Sequence, residues 1–242
     1  MTRRGWQILV AAIIGFAILA GLGAWQLQRL STKQDQIRRL DERRVQSPVN
    51  LAEAVDLAET TGDVDYLPIA VRGRFARDKE ILMLTTLEGS PGWRVITPFV
   101  SDKGTVVLVD RGVIPDKLRD ALDSRIINGD QEITGYALWH RAGQGLFDPE
   151  NDVAGNKWFW WDVPAMLAEV SIGEGLKTAP FILHLAPKPE DGTFPRPVAP
   201  GDSLRNNHLQ YAITWFALAL LLAVLAGLAI RSDLKQAGRT GH

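Results

Sequence analysis

Trp6–Gln26, WQILVAAIIGFAILAGLGAWQ, and Tyr211–Ile230, YAITWFALALLLAVLAGLAI, decide the fold of this 242-residue chain. A helix needs about 20 mostly apolar residues to cross about 30 Å of hydrocarbon, and each stretch meets that length. Trp6 and Trp25 bracket the first run, and Tyr211, Trp215 and Arg231 sit near the ends of the second, the residue types favoured at membrane interfaces. Charge follows the same division. No Asp, Glu, Lys or Arg occurs in 5–28 or in 206–230, whereas 29–205 carry 22 basic against 27 acidic residues, a formal −5. The mean hydropathy near zero therefore hides two membrane spans and a polar, mildly acidic middle. The competing reading of the first run is a cleaved signal peptide, opened by Arg3 and Arg4. A signal peptide's apolar core is about 7–15 residues, and this one is longer.

Two spans place both termini on one side of the membrane and the middle on the other. Arg29, Lys33, Arg38, Arg39, Arg43 and Arg44 follow the first span, against five basic residues at the two ends. Long loops translocate largely regardless of charge, so the count leaves orientation open.

The middle starts with an amphipathic stripe, Leu27, Leu30, Ile37 and Leu40, which extends the first helix as a stalk. From Tyr66 the pattern becomes strand-like. LPIAVRGRF alternates, and ILMLTTL, WRVITPFV and TVVLVDRG follow, separated by turn residues at 89–92 and 102–104. EITGYALW, KWFWWD and PFILHLA read as further strands. Short helices fit 50–59 and 164–170, the second with Asp162 as its cap. The expected architecture is a membrane protein with two transmembrane helices flanking a mainly antiparallel β domain with a few short helices, an α+β barrel or sandwich. Its parts are a span at 6–28, stalk and short helix at 29–64, β domain at 65–186, Pro-rich linker at 187–205, second span at 208–230 and tail at 231–242.

Composition narrows the function. The acidic middle and the lack of a basic stripe argue against nucleic-acid binding. The chain has no cysteine, which removes thiol nucleophiles, disulfides and thiolate metal ligands. HExxH, Walker A and nucleophile-elbow motifs do not occur, so a catalytic reading lacks a nucleophile–base pair. Of the four histidines, His184 reads as a surface or satisfied core residue, His140 as a solvent-facing turn residue, and terminal His242 has no evident role. Asp110-Arg111-Gly112 reads as a strand-end turn with a local ion pair. Trp158–Trp161 reads as core, or as an aromatic docking surface.

His208 stands apart, because a titratable residue at the mouth of a span is a functional candidate. On a helix, His208, Tyr211 (or Ala212) and Trp215 share a face. An imidazole above an aromatic wall suits a planar, apolar, metal-bearing ligand with charged edges. Haem fits, with His208 as axial ligand and its propionates reaching Arg29 or Arg205. The alternative is an interfacial anchor with no ligand.

The ordered motifs resemble those of the Surfeit locus protein 1 family, the Shy-type assembly factors of haem-copper cytochrome oxidases. They are Leu22-Gly23-Ala24-Trp25-Gln26-Leu27-Gln28-Arg29-Leu30 with Lys33, Val71-Arg72-Gly73-Arg74-Phe75, Pro91 to Pro98, Val107 to Gly112, Asn156 to Asp162, and Asn206 to Phe216. Thr32, Asp110 and Val113 depart from the family's usual residues. The resemblance implies a non-enzymatic helper that binds haem a and assists its insertion into the catalytic subunit of the oxidase. It also implies His208 as the ligand of the haem iron, with Trp215 beside it. Haem A synthase is a further candidate partner. A bacterial inner-membrane protein with cytoplasmic termini and a periplasmic domain is expected, since Met1 leads directly into the span without a transit peptide. The runner-up is a scaffold that stabilises the oxidase subunit without touching haem.

Overall fold

The computed structural model describes residues 3–76, 79–121, 127–140, 143–173, 175–187, 193–198 and 207–239. The chain divides into a helical unit, Met1–Arg38 with Leu204–His242, and a β-rich unit, Arg39–Ser203.

In the helical unit, helix α1 (Arg3–Arg44) and helix α4 (His208–Arg239) supply the two long apolar runs. Their large side chains point outward. Ile13 is 59% exposed and Leu220 65% exposed, which a soluble protein's core helix would not tolerate. These are lipid-facing surfaces of membrane spans, in which the backbone satisfies its own hydrogen bonds. What the two helices bury is small. Ala212 and Ala219 are 1% and 2% exposed, and Gly23 and Gly15 sit against Phe216 and Leu222. A Cβ at Gly23 would lie 2.7 Å from the Phe216 ring. Small residues let apolar helices approach where no hydrophobic effect drives them together.

In the β-rich unit, the order of strands follows from the alternation in the sequence. The strands are β1 (Val49–Asn50), β2 (Pro68–Phe75), β3 (Ile81–Leu87), β4 (Ser90–Ser101), β5 (Thr105–Pro115), β6 (Gln131–Leu138) and β7 (Lys177–Leu185). They pair in the order β1-β2-β6-β7-β5-β4-β3, and β2 pairs again with β4. That extra pairing closes β2, β6, β7, β5 and β4 into a five-stranded barrel, with β1 and β3 as additions. Most pairs are antiparallel, but β1–β2 and β5–β7 are parallel.

Closure has a local cause. Phe75, Arg74 and Gly73 of β2 pair with Phe99, Val100 and Ser101 of β4. A Cβ on Gly73 would lie 2.1 Å from the Val100 carbonyl oxygen, so the VRGRF glycine admits the close approach.

Two of the three hydrophobic clusters among the described residues lie on opposite faces of this sheet, and the third gathers Leu82, Trp93, Val95 and Ile114. Of the opposed pair, one gathers Ile69, Val71, Phe99, Val107, Val109, Phe181 and Leu183 with Leu51, Ala54, Val55 and Ala58 of helix α2 (Leu51–Thr61). The other gathers Ile81, Ile96, Leu108, Ile182 and Trp158 with Val163, Met166 and Val170 of helix α3 (Val163–Val170). Neighbours such as Val107 and Leu108 fall in different cores. That is why the run from Thr105 to Ile114 is buried throughout rather than at alternate positions. The caps of both short helices are chemical. The Asn50 side chain accepts from the Glu53 amide, and Asp162 accepts from the Ala165 amide at 3.1 Å.

One expected strand is absent among the described residues. Within KWFWWD, Lys157 forms an isolated bridge to Asp152 of its own loop and Trp158 one to Met83 of β3. Trp158 is nevertheless core, 1% exposed, while Phe159, Trp160 and Trp161 are half-buried.

Candidate functional site

The first candidate site lies where α1 and α4 meet at His208. Gln26 is an amide at the end of the apolar run of α1, and it is 9% exposed. A buried amide needs a partner, and His208 supplies it, with Nδ1 2.7 Å from Gln26 Oε1. An amide oxygen only accepts, so the bond assigns the imidazole proton to Nδ1 and leaves the lone pair on Nε2. That is the arrangement of a metal-ligating histidine oriented through its other nitrogen.

The other candidate residues are placed as follows. Trp215 is half-buried. It follows His208 and the buried Ala212 along one face of α4, which continues to Ala219. Tyr211 is 54% exposed and stands away from that buried line, so Ala212 takes the seam position. Arg29 lies three residues beyond Gln26 on α1, with its guanidinium 5.7 Å from the Trp25 ring centroid. Arg205 lies outside the described residues, as does most of the 187–205 linker. The structure thus brings His208 together with Gln26, which the motif contains but which sequence reasoning did not single out. The available signal was a carboxamide one turn before Arg29 at the end of an apolar run.

The second candidate is a buried polar cluster in the β-rich unit. Asp110 and His184 are register partners across the parallel β5–β7 pair. His184 Nδ1 donates to Asp110 Oδ2 at 2.7 Å, and Arg94 of β4 binds the same oxygen. The Gly112 amide donates to Asp110 Oδ1 at 2.9 Å. His140 Nε2 lies 3.0 Å from His184 Nε2, and its ring stacks on Trp161 at 4.2 Å. With ring centroids 5.3 Å apart, the two nitrogens point at each other, as in a hydrogen bond rather than as two neighbouring ligands of one metal. A cavity of about 470 Å³ adjoins His140, walled by Trp139, Val163, Pro164, Leu167, Thr178 and Pro180.

Two expectations change here. His140 does not face solvent, because stacking and the His184 bond draw it in. Asp110-Arg111-Gly112 does not end a strand. It forms a β-bulge within β5, where Val95 and Ile96 of β4 pair with Gly112 and Asp110 and leave Arg111 as the extra residue. Arg111 is buried and pairs with buried Glu80 at 3.8 Å. Gly112 carries φ +115°, and a Cβ there would lie 2.1 Å from the Arg196 carbonyl oxygen of a segment bridged to Val113. Only glycine fits that position.

Electrostatics fix the cluster's charge. Burial alone would raise the Asp110 carboxyl. The His184 imidazole, its hydrogen bond, Arg94 and the Gly112 amide outweigh it and hold the group down at about 2. Burial pushes His140 down to about 3, helped by His184 and Arg94 and opposed by Asp110. At neutral pH the cluster holds an ionised carboxylate, a guanidinium and a neutral His140, which suits a structural tie. Among the described residues, no group of three or more His, Asp or Glu side chains is placed to hold a metal ion.

A closed β barrel joined to two membrane helices, with a hydrogen-bonded histidine at the mouth of one of them, defines a membrane-anchored β-barrel protein. Residues 13–220 match the model of the SURF1 family. A SURF1-like protein of Rickettsia bellii is 30% identical over 243 residues, covering 94% of this chain and 96% of that protein. Surfeit locus protein 1 of Homo sapiens is 30% identical over 247 residues, covering 91% of this chain and 75% of the human protein. The Gallus gallus protein of that name is 30% identical over 253 residues, covering 91% and 73%. The chain belongs to the SURF1 family. Members of this family are non-catalytic assembly factors in cytochrome oxidase biogenesis, and this chain is an assembly factor and not an enzyme.

Proposed function

We propose that this assembly factor binds haem a at His208 and assists its insertion into the catalytic subunit of a haem-copper oxidase. We also propose that the protein is bacterial and resides in the inner membrane, with its β domain in the periplasm. The observation that carries the haem reading is the Gln26–His208 hydrogen bond, which orients the imidazole through Nδ1, as an outer partner orients a metal-ligating histidine. The residues present fit such a group. Trp215 supplies an apolar wall on the His208 face of α4, and Arg29 supplies a cation for a propionate. Arg205 is a second candidate cation, and Tyr211 could flank the ring from outside the seam. A bound haem a would bring an iron that accepts the imidazole and a macrocycle that lies along apolar side chains.

The test is the visible spectrum of the purified full chain made in cells that produce haem A, alongside His208→Ala. A haem a band near one equivalent in the native protein, lost in the variant, is the expected result. A colourless native protein made with haem A available would overturn haem binding. It would leave the scaffold reading, in which the chain holds the oxidase subunit without touching haem.

A further inference from the structure

The β-rich unit presents two large apolar side chains side by side to solvent. Leu146 and Phe147 are 92% and 93% exposed, more than any other large apolar residue among those described. A random coil tip would explain this cheaply, but the local geometry does not resemble one. The Asp148 amide donates to the Gly145 carbonyl at 3.0 Å, and the Asp148 carboxylate accepts the Gly145 amide at 2.8 Å. The Gln144 side chain donates to the Asp148 carbonyl at 2.7 Å. Leu146 and Phe147 are thus the two central residues of a doubly tied turn, the positions that project outward.

The base of the same loop is fastened to the barrel. Asp152 and Lys157 exchange two backbone bonds of 2.9 Å. The Asn156 side chain accepts from the Leu82 amide at 3.1 Å and donates to the Glu80 carbonyl at 2.8 Å. Asn151 Oδ1 accepts the Phe159 amide at 2.8 Å. A fixed stem with an ordered apolar tip has lost much of its conformational freedom before any partner arrives, and this is what makes an anchor bind.

Charge decides between occupants. Asp148, Glu150 and Asp152 follow the apolar pair within five residues. Carboxylates so close to the tip oppose entry into a bilayer with anionic lipid, and they complement a protein pocket rimmed by lysine or arginine. We propose that Leu146 and Phe147 dock into an apolar, basic-rimmed pocket on a protein of the cytochrome oxidase assembly apparatus. This rests on the assembly-factor role and is independent of haem binding.

The test uses the full chain in its membrane. A benzophenone amino acid replaces Phe147, and adducts formed on irradiation are identified by mass spectrometry. A companion Leu146→Ser/Phe147→Ser variant is scored for oxidase co-purification and for haem content. The expected result is an adduct with an oxidase subunit or an oxidase assembly protein, and at least a tenfold loss of co-purification with haem content unchanged. Adducts only with lipid or with a second copy of this chain, or unchanged co-purification, would overturn the proposal. Loss of haem together with the partner would also overturn it, because the tip would then not be a separate docking element. Because the chain has no cysteine, Phe147→Cys gives a single labelling site. A dye there that shifts to the blue in pure lipid nanodiscs would assign the tip to the membrane and likewise overturn the proposal.

Discussion

Gln26 and Asp110 are both polar groups in apolar surroundings, and each is made tolerable by a histidine. At Gln26 the consequence is orientation. Replacing it with Leu removes the acceptor for His208 Nδ1–H and frees the ring to change tautomer. Loss of such an outer partner lowers metal affinity about 10–100-fold in characterised sites. Gln26→Leu should therefore weaken haem retention by that factor in a titration of the purified chain, while Gln26→Glu, which keeps an acceptor, should retain it. Equal loss in both variants would argue against an orienting role.

At Asp110 the consequence is stability. Asp110→Asn leaves Arg94 without its counter-charge. Breaking a buried pair costs about 3–5 kcal/mol, and the lower end applies because the Arg94 side chain is 18% exposed and can draw on water. The acid response has a definite sign. His140 takes a proton at about 3 when folded, but near 6.5 when unfolded, so the unfolded state binds more protons between those values. Stability should fall as pH drops from about 6.5 toward 3, at up to about 1.4 kcal/mol per unit. Asp110, held at about 2, adds stability above about 4 that is lost as pH falls from there toward 2. Denaturant unfolding of the full chain in detergent at several pH values, followed by tryptophan fluorescence, checks both. His140→Gln should flatten the slope between pH 6 and 4 and leave the lower limb.

Among the elements, β2 shows how one residue type permits a topology. Gly73 is where β2 meets β4 to close the barrel, and the two nearest atoms a Cβ would strike are backbone, which cannot swing aside as a long side chain would. Gly73→Ala should cost about 1–3 kcal/mol, the range for forced overpacking. Gly143→Ala, with open space around it, should be neutral in the same unfolding experiment.

Local periodicity made most elements legible. Alternation in LPIAVRGRF, the apolar run in TVVLVDRG, and the Asp162 cap are all decided within a few residues. KWFWWD misled because aromatic residues favour strands, whereas Trp158 alone bridges β3 and the rest of the segment descends to the Asp162 cap. The Asp110–His184–His140 cluster was not readable as a unit, since β5, β7 and the end of β6 meet only through non-local pairing. A partial signal existed. A charged residue inside a strand buried on both faces must have a partner, although sequence does not name it. The Gln26–His208 contact was hidden for the same reason, since its members lie 182 positions apart.

For the whole molecule, the strongest consequence of two spans is topological. An even number of crossings returns the C-terminus to the side of the N-terminus and sends the β-rich unit to the other. Basic residues after α1 compete with those at the chain ends, so charge bias alone does not choose which side is which, and the folded bulk of a long loop weakens that bias further. The absence of cysteine makes the question directly measurable. Glu88→Cys lies in the exposed turn between β3 and β4, and Arg3→Cys lies at the start of α1. A membrane-impermeant maleimide added to intact spheroplasts should label the first and spare the second until the cells are lysed. The reverse pattern would place the β-rich unit in the cytoplasm and move its proposed partner surface there with it. Labelling of both sites from outside would mean that only one of the two apolar helices crosses the bilayer, and the pairing of Gln26 with His208 would then have no membrane in which to form.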